Sequence, residues 1–286
     1  MTLEDKRLRG LFRGLNYDLR GTLGSLGLFG RLQAPILCVG APNSGTTILG
    51  EALASHPKIE NRSEARVLWD PQFHSVAGDT LREATDVRPR DVRRLRGNFA
   101  WYQLVTGAKL VLNKHPENSL RIHYLMRIFP EALLIHIVRD GRAVVCSNFT
   151  SASLKPGRAR PFGAYLRPRG WREQLDRPLL EQLAYMWNDC AMYASVEGAR
   201  YGAQFIEVRY EDLETRLPEL AERVWRWAGL DVRAEDLARL PRVENRNDKW
   251  RKSLSEEQVA TIERLTHEGL ERFGYRSELS SPLKSP

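Results

Sequence analysis

The sequence predicts an α/β fold in which a central parallel sheet carries helices on both faces, and three observations lead there. Short apolar runs alternate with segments of helical periodicity, the first of these runs stops at a Gly-containing loop that opens a helix, and 286 residues with a 42% hydrophobic share suffice for one substantial core.

In chain order, Leu8, Leu11, Phe12, Leu15 and Leu19 recur at helical spacing among Lys6, Arg7, Arg9, Arg13 and Arg20. This basic amphipathic pattern makes 1–33 an N-terminal arm. The same pattern suits packing on the domain and peripheral membrane contact through residues 6–20. Ile36, Leu37, Cys38 and Val39 form a short buried strand, and a helix follows over 45–55. Further strands are expected at 109–112, 132–138 and 204–209, with helices at 119–128, 142–148 and 178–201. Residues 151–172 carry Pro156, Pro161 and Pro168 with Gly157, Gly163 and Gly170, the composition of a mobile loop or lid. A polar, basic stretch at 241–252 precedes a last helix at 255–273. One domain is expected over 34–278, with a disordered tail at 279–286.

Forty-four Lys plus Arg against 36 Asp plus Glu leave a net charge of +8, which suits anionic ligands. The basic residues are scattered, without zinc-finger spacing or an aromatic stacking motif, so nucleic acid is not the expected partner. Cys38, Cys146 and Cys190 are far apart and odd in number, as reduced thiols would be, and the six histidines form no metal-ligand pattern, so no metal is expected. No run of 18 apolar residues and no compact signal core is present, which makes the cytoplasm the expected location.

Gly40-Ala41-Pro42-Asn43-Ser44-Gly45-Thr46-Thr47 lies between the first strand and the first helix, where backbone N–H groups and the positive helix end receive a phosphate. Gly40 and Gly45 allow close approach of an anion, and Thr46 and Thr47 add hydroxyls. An ATP-type phosphate loop needs Lys after the second Gly; Thr46 stands there instead, which disfavours ordinary kinase chemistry. A second anion site is suggested where the 132–138 strand ends in Arg139-Asp140-Gly141-Arg142: Arg139 can grip a phosphate in bidentate fashion, with Ser147 adding a hydroxyl.

Pro42-Asn43-Ser44-Gly45-Thr46-Thr47 resembles the 5′-phosphosulfate loop of the sulfotransferase superfamily, usually Gly-x-Pro-Arg-Ser-Gly-Thr-Thr, with Asn43 at the usual Arg position. Arg139 to Ser147 is similar to that family's 3′-phosphate motif. Asn113-Lys114-His115-Pro116, Val208-Arg209-Tyr210-Glu211-Asp212-Leu213 and Lys249-Trp250 through Gly274-Tyr275 extend the resemblance over most of the chain. Motif spacing is nearest to tyrosylprotein sulfotransferases and their bacterial relatives. The resemblance implies a P-loop-like three-layer sandwich and transfer of a sulfuryl group from 3′-phosphoadenosine 5′-phosphosulfate (PAPS), leaving adenosine 3′,5′-bisphosphate (PAP). It further implies that Tyr210, Lys249 and Trp250 serve the adenine end. Ser63-Glu64-Ala65-Arg66 is similar to the tyrosylprotein enzymes' Glu-Glu-Thr-Arg, which makes Glu64 the base and Arg66 a substrate or sulfate contact. Lys114 would meet the bridging oxygen, and an Asn43 amide could still donate to the sulfate. His115 competes with Glu64 as base, since imidazole titrates near neutral pH. The acceptor is left open among small molecules, glycans, lipids and peptides. The alternatives are a nucleotide or small-molecule kinase and a non-catalytic sulfotransferase-like binding protein.

Overall fold

A computed structural model describes residues 3–64, 66–69, 79–153 and 166–276. Five strands, β1 (Ile36–Val39), β2 (Ile59–Ser63), β3 (Leu110–Lys114), β4 (Leu133–Val138) and β5 (Phe205–Arg209), pair in parallel in the order β2-β3-β1-β4-β5. The chain leaves β1 toward β2 and β3 on one side and later returns to lay β4 and β5 on the other. A crevice therefore opens beyond the carboxyl end of β1, where ligands of open parallel sheets bind.

Side-chain alternation along the strands divides the interior into two layers. Leu37, Val39, Val111 and Leu134 point to one face and pack with α4 (Pro89–Thr106), α5 (Ile122–Ile128) and α7 (Leu179–Ala199). Ile36, Cys38, Leu112 and Ile135 point to the other and pack with α2 (Thr46–Leu53) and α8 (Leu213–Trp227). This is the expected three-layer sandwich. Strands β1, β3 and β4 are buried throughout, which is why they are written mostly in apolar residues, β3 ending in the buried Asn113 and Lys114 and β4 carrying His136.

Several elements differ from expectation. Strand β2, Ile-Glu-Asn-Arg-Ser, is a polar edge strand, so it has no apolar run to announce it. Strand β3 begins one residue later than 109–112 and runs on to Lys114. Helices α4 and α8 were not anticipated, and the segment 255–273 forms two helices, Glu256–Leu265 and His267–Arg272, that meet at the buried Thr266. Helix α6 (Gly141–Ser153) takes in the start of the expected 151–172 loop. At its other end Leu166 is buried, Arg167 N donates to Thr80 Oγ1 at 2.9 Å and Trp171 Nε1 donates to Asp79 Oδ1 at 2.7 Å. Residues 166–172 are thus seated rather than loose, whereas 154–165 and the 279–286 tail lie outside the described residues. All three cysteines are free and buried.

The N-terminal α1 (Leu3–Ser25) lies across α4 at glycines. A Cβ added at Gly21 would meet Arg94 Cα at 2.7 Å, and one at Gly24 would meet Gly97 Cα at 2.5 Å. Only backbone-to-backbone contact permits this crossing. Asp18 then pairs with the buried Arg94 at 2.5 Å, and Arg94 Nε donates to Leu68 O at 3.1 Å in α3 (Arg66–Trp69).

Candidate functional site

A cavity of about 740 Å³ lies at the carboxyl ends of the central strands, within the size range of small-molecule and cofactor sites. It brings together Pro42, Asn43, Gly45, Thr46 and Thr47 from the loop after β1, Glu64 after β2, Lys114 and His115 at the end of β3, Arg139 after β4, and Tyr210 after β5.

The loop turns on two left-handed residues, Asn43 at φ 70° and Gly45 at φ 98°. Asparagine tolerates this conformation better than most side chains, since its short amide can bond locally. Gly45 has no substitute: an added Cβ would lie 2.5 Å from the Tyr210 ring. Helix α2 begins at Thr46, so its first-turn N–H groups have no partner inside the helix and its positive end meets the cavity. Ser44, 1% exposed, has a hydroxyl oxygen without a hydrogen-bond partner among the described residues. Glycine backbone, open amides and an unsatisfied buried hydroxyl fit a phosphate-type anion. Gly40 serves the loop differently. Its N–H donates to Ser119 Oγ at 2.9 Å, and a Cβ there would meet Ile137 O at 2.5 Å.

Asn43 is tied into the frame. Its Nδ2 donates to Asn148 Oδ1 at 2.9 Å, while Asn148 Nδ2 donates to Pro42 O at 3.1 Å, so the amide expected to reach a sulfate also fastens the loop to α6. Arg139 clasps two loops: Nη1 donates to Asn43 O at 3.1 Å, Nη2 to Arg246 O at 3.0 Å and Nε to Asn247 Oδ1 at 2.9 Å, and the guanidinium lies 4.5 Å from the centre of the Tyr210 ring. Tyr210 in turn donates its hydroxyl to Glu244 O at 3.0 Å.

Opposite this wall, the β2–β3 register sets Ser63 beside Lys114. Glu64 N then donates to Lys114 O at 2.9 Å, and Glu64 turns away at φ 46°. Lys114 Nζ donates to Glu64 Oε1 at 2.7 Å, with the lysine side chain 4% exposed and the glutamate 44%. Beneath them Cys38 pairs with Lys114 across the sheet. Burial pushes its thiol up to about 12, an effect the nearby lysine charge only partly offsets.

His115 borders the cavity but belongs to a buried network. Its ring stacks on Trp69 with 6.3 Å between centroids, and Nε2 lies 3.5 Å from Glu117 Oε2. Glu117 Oε2 also accepts from Arg121 Nη2 at 3.2 Å, and Arg121 Nε donates to Thr80 O at 3.1 Å.

The remaining expected residues are not among the lining described for the cavity. Ser147 lies on α6 one residue before the lining Asn148. Lys249 is exposed on a 3₁₀ turn outside the lining. Trp250 is buried against Ala143 and Cys146, with the Arg142 guanidinium 4.6 Å from its ring centre. Arg66 opens α3, and its side chain lies outside the described residues. The lining residues not anticipated are Ile48, Pro116, Glu117, Asn148, Arg242, Glu244 and Arg246. The last three fall in the 241–252 stretch, whose basic, polar composition was its only signal. Nothing in the sequence distinguishes Asn148 from its neighbours.

A family model described as the sulfotransferase family matches residues 35–235. The chain is similar to protein-tyrosine sulfotransferase 2 of Gallus gallus, with 27% identity over 41% of this chain and 34% of that protein. It is also similar to the omega-hydroxy-beta-dihydromenaquinone-9 sulfotransferase of Mycobacterium bovis, with 26% identity over 69% of this chain and 50% of that protein. The alignments thus span a third to a half of the length of these curated relatives. Among solved structures, a sulfotransferase from Mycobacterium avium superposes with a TM-score of 0.58 at 16% identity, covering 94% of this chain and 86% of that one. The sulfotransferase domain of the curacin biosynthetic pathway superposes with a TM-score of 0.55 at 14% identity, covering 86% and 99%. Both establish likeness of fold.

Proposed function

The chain belongs to the sulfotransferase family, and from that premise we propose that residues 34–278 transfer a sulfuryl group from PAPS to a hydroxyl or amine of an acceptor, in the cytoplasm and without a metal. The observation that carries this reading is the Lys114–Glu64 pair, 2.7 Å apart across the cavity from the loop at Gly40 to Thr47. A buried cation for the leaving oxygen, a more exposed carboxylate for the acceptor's proton and a cradle for the 5′-phosphate are what in-line sulfuryl transfer requires.

The donor supplies an activated sulfuryl group. The loop amides and Ser44 bind its 5′-phosphate, and Arg139 exchanges carbonyl partners at residues 43 and 246 for the 3′-phosphate. Glu64 removes the acceptor's proton as the new oxygen–sulfur or nitrogen–sulfur bond forms. Lys114 neutralises the oxygen freed when the sulfur–oxygen bond to phosphate breaks. Glu64 is preferred over His115 because the imidazole is 1% exposed and stacked in the buried network. The acceptor is a small molecule, glycan, lipid or peptide.

Calorimetry with PAP and with Mg-ATP tests the donor assignment. Micromolar or tighter bisphosphate binding is expected; ATP binding without bisphosphate binding would move the protein to the kinase reading. Turnover of labelled PAPS with a metabolite extract tests catalysis, and bisphosphate binding without any turnover would favour a binding protein.

A further inference from the structure

Five of the nine large apolar side chains exposed among the described residues lie between residues 12 and 28: Phe12, Leu15, Leu19, Leu26 and Leu28, each at least 59% exposed. At about 100° per residue, Phe12, Leu15 and Leu19 fall within about 60° of one another on α1, facing away from the Gly21 and Gly24 side that docks on α4. The sequence of the same segment supplies Lys6, Arg7, Arg9 and Arg13, while Arg20 turns back onto α4, its guanidinium 5.0 Å from the Trp101 ring centre. Leu104 and Val105, at the end of α4, add two more exposed side chains near the turn that follows α1, where Gln33 N donates to Gln103 Oε1 at 3.2 Å.

We propose that this face of α1 docks on an anionic membrane surface, its leucines and Phe12 entering the acyl boundary and the basic residues of the same segment meeting the headgroups. An apolar stripe on a helix whose sequence is also rich in Lys and Arg is the pattern of a helix lying in a membrane interface. Charge selects this occupant over a second copy of the chain. Residues 1–33 hold six Lys or Arg against three Asp or Glu, in a protein of net charge +8, so self-association would set like charge against like. Among the described residues no helix is long and apolar enough to cross a membrane, so α1 would lie on the surface. The helix is also braced to the candidate site, since Asp18 holds Arg94, Arg94 holds Leu68 O, and Trp69 stacks on His115. The inference concerns surface binding and stands whether or not the chain transfers sulfuryl groups.

Co-sedimentation of the full chain with phosphatidylcholine vesicles, with and without a quarter of phosphatidylglycerol, tests it. The protein is expected to sediment with the anionic vesicles, more weakly with phosphatidylcholine alone, and less as salt is raised. Leu15→Asp with Leu19→Asp should lower the partition about tenfold or more, with Tm and PAP binding unchanged. Arg9→Gln with Arg13→Gln should reduce binding to the anionic vesicles alone. An environment-sensitive dye on Leu15→Cys should shift to the blue on adding anionic vesicles. The proposal is overturned by absence of sedimentation, by equal sedimentation of wild type and the Asp pair, or by a wild-type dimer that the Asp pair dissolves in light scattering.

Discussion

Two buried cations, Lys114 at the end of β3 and Arg142 in the first turn of α6, are treated in opposite ways. Arg142 donates to Asp140 twice through Nε and Nη2, at 3.0 and 2.7 Å, and through Nη1 to Glu263 Oε1 at 2.6 Å and Arg276 O at 3.0 Å, with the Trp250 ring against its face. Burial alone would lower its pKa, but the two carboxylates more than offset that and hold the guanidinium above its ordinary range. Among the described residues Lys114 pairs with one carboxylate, itself 44% exposed, and faces a cavity. A saturated cation is a brace, here binding α6 to the C-terminal helices. A cation with one exchangeable partner is available to a ligand. Within the Arg-Asp-Gly-Arg segment the contrast lies in the partners' charge: Arg139 lines the cavity on the neutral acceptors Asn43 O, Arg246 O and Asn247 Oδ1, while Arg142 is buried against two carboxylates.

That contrast can be broken from both ends. Arg142→Met should lose about 3–5 kcal/mol, because Asp140 and Glu263 are left buried without their cation; chemical denaturation measures this. Lys114→Met should lower kcat about 10²–10³-fold while PAP affinity changes little, as donor turnover and calorimetry would record. Should Lys114→Met instead unfold the protein and Arg142→Met remain stable, the two roles are reversed. Glu64→Gln should reduce kcat by about 10²-fold, with bisphosphate affinity nearly kept. Gly45→Ala, which forces Tyr210 aside, should weaken bisphosphate binding by about tenfold or more.

The effect confined to alkaline solution concerns Cys38. Its thiol ionises near 9.0 when exposed and near 12 when folded, so the unfolded state loses its proton first as pH rises. Stability from this group is complete below pH 9 and declines as pH rises through the interval up to 12, by up to about 1.4 kcal/mol per pH unit. Cys38→Ala should flatten that portion of the curve in denaturation series at increasing pH.

Much of the frame was written locally. The strands at 36–39 and 133–138 are buried on both faces and therefore spelled in apolar residues, and the loop between β1 and α2 carries its glycines where backbone must approach Tyr210 and Ile137. Strand β2 was not, because edge position lets it use Glu60, Asn61 and Arg62; Glu64 was reached only by resemblance to a known motif. Helix α4 hides its inward Leu95, Phe99 and Tyr102 among arginines, one of which, Arg94, is itself buried by partners far away in sequence. Helix α8 carries an apolar stripe at Leu213, Leu217, Leu220 and Val224, with Pro218 inside it as a contrary local signal. Asn148 and the Arg242–Arg246 rim become lining residues only through packing that joins segments about 100 residues or more apart.

Glu64 at φ 46° has a further consequence. A non-glycine residue held left-handed forgoes about 1–2 kcal/mol, and its pairing with a lysine sealed from solvent is of a kind that apolar side chains often replace without loss. A Glu64→Gly, Lys114→Met double variant should therefore equal or exceed the wild type in Tm while being inert. Selection for heat resistance alone, applied to a library of this protein, would erode these two positions early, and the order in which positions drift under such selection would trace the outline of the working site.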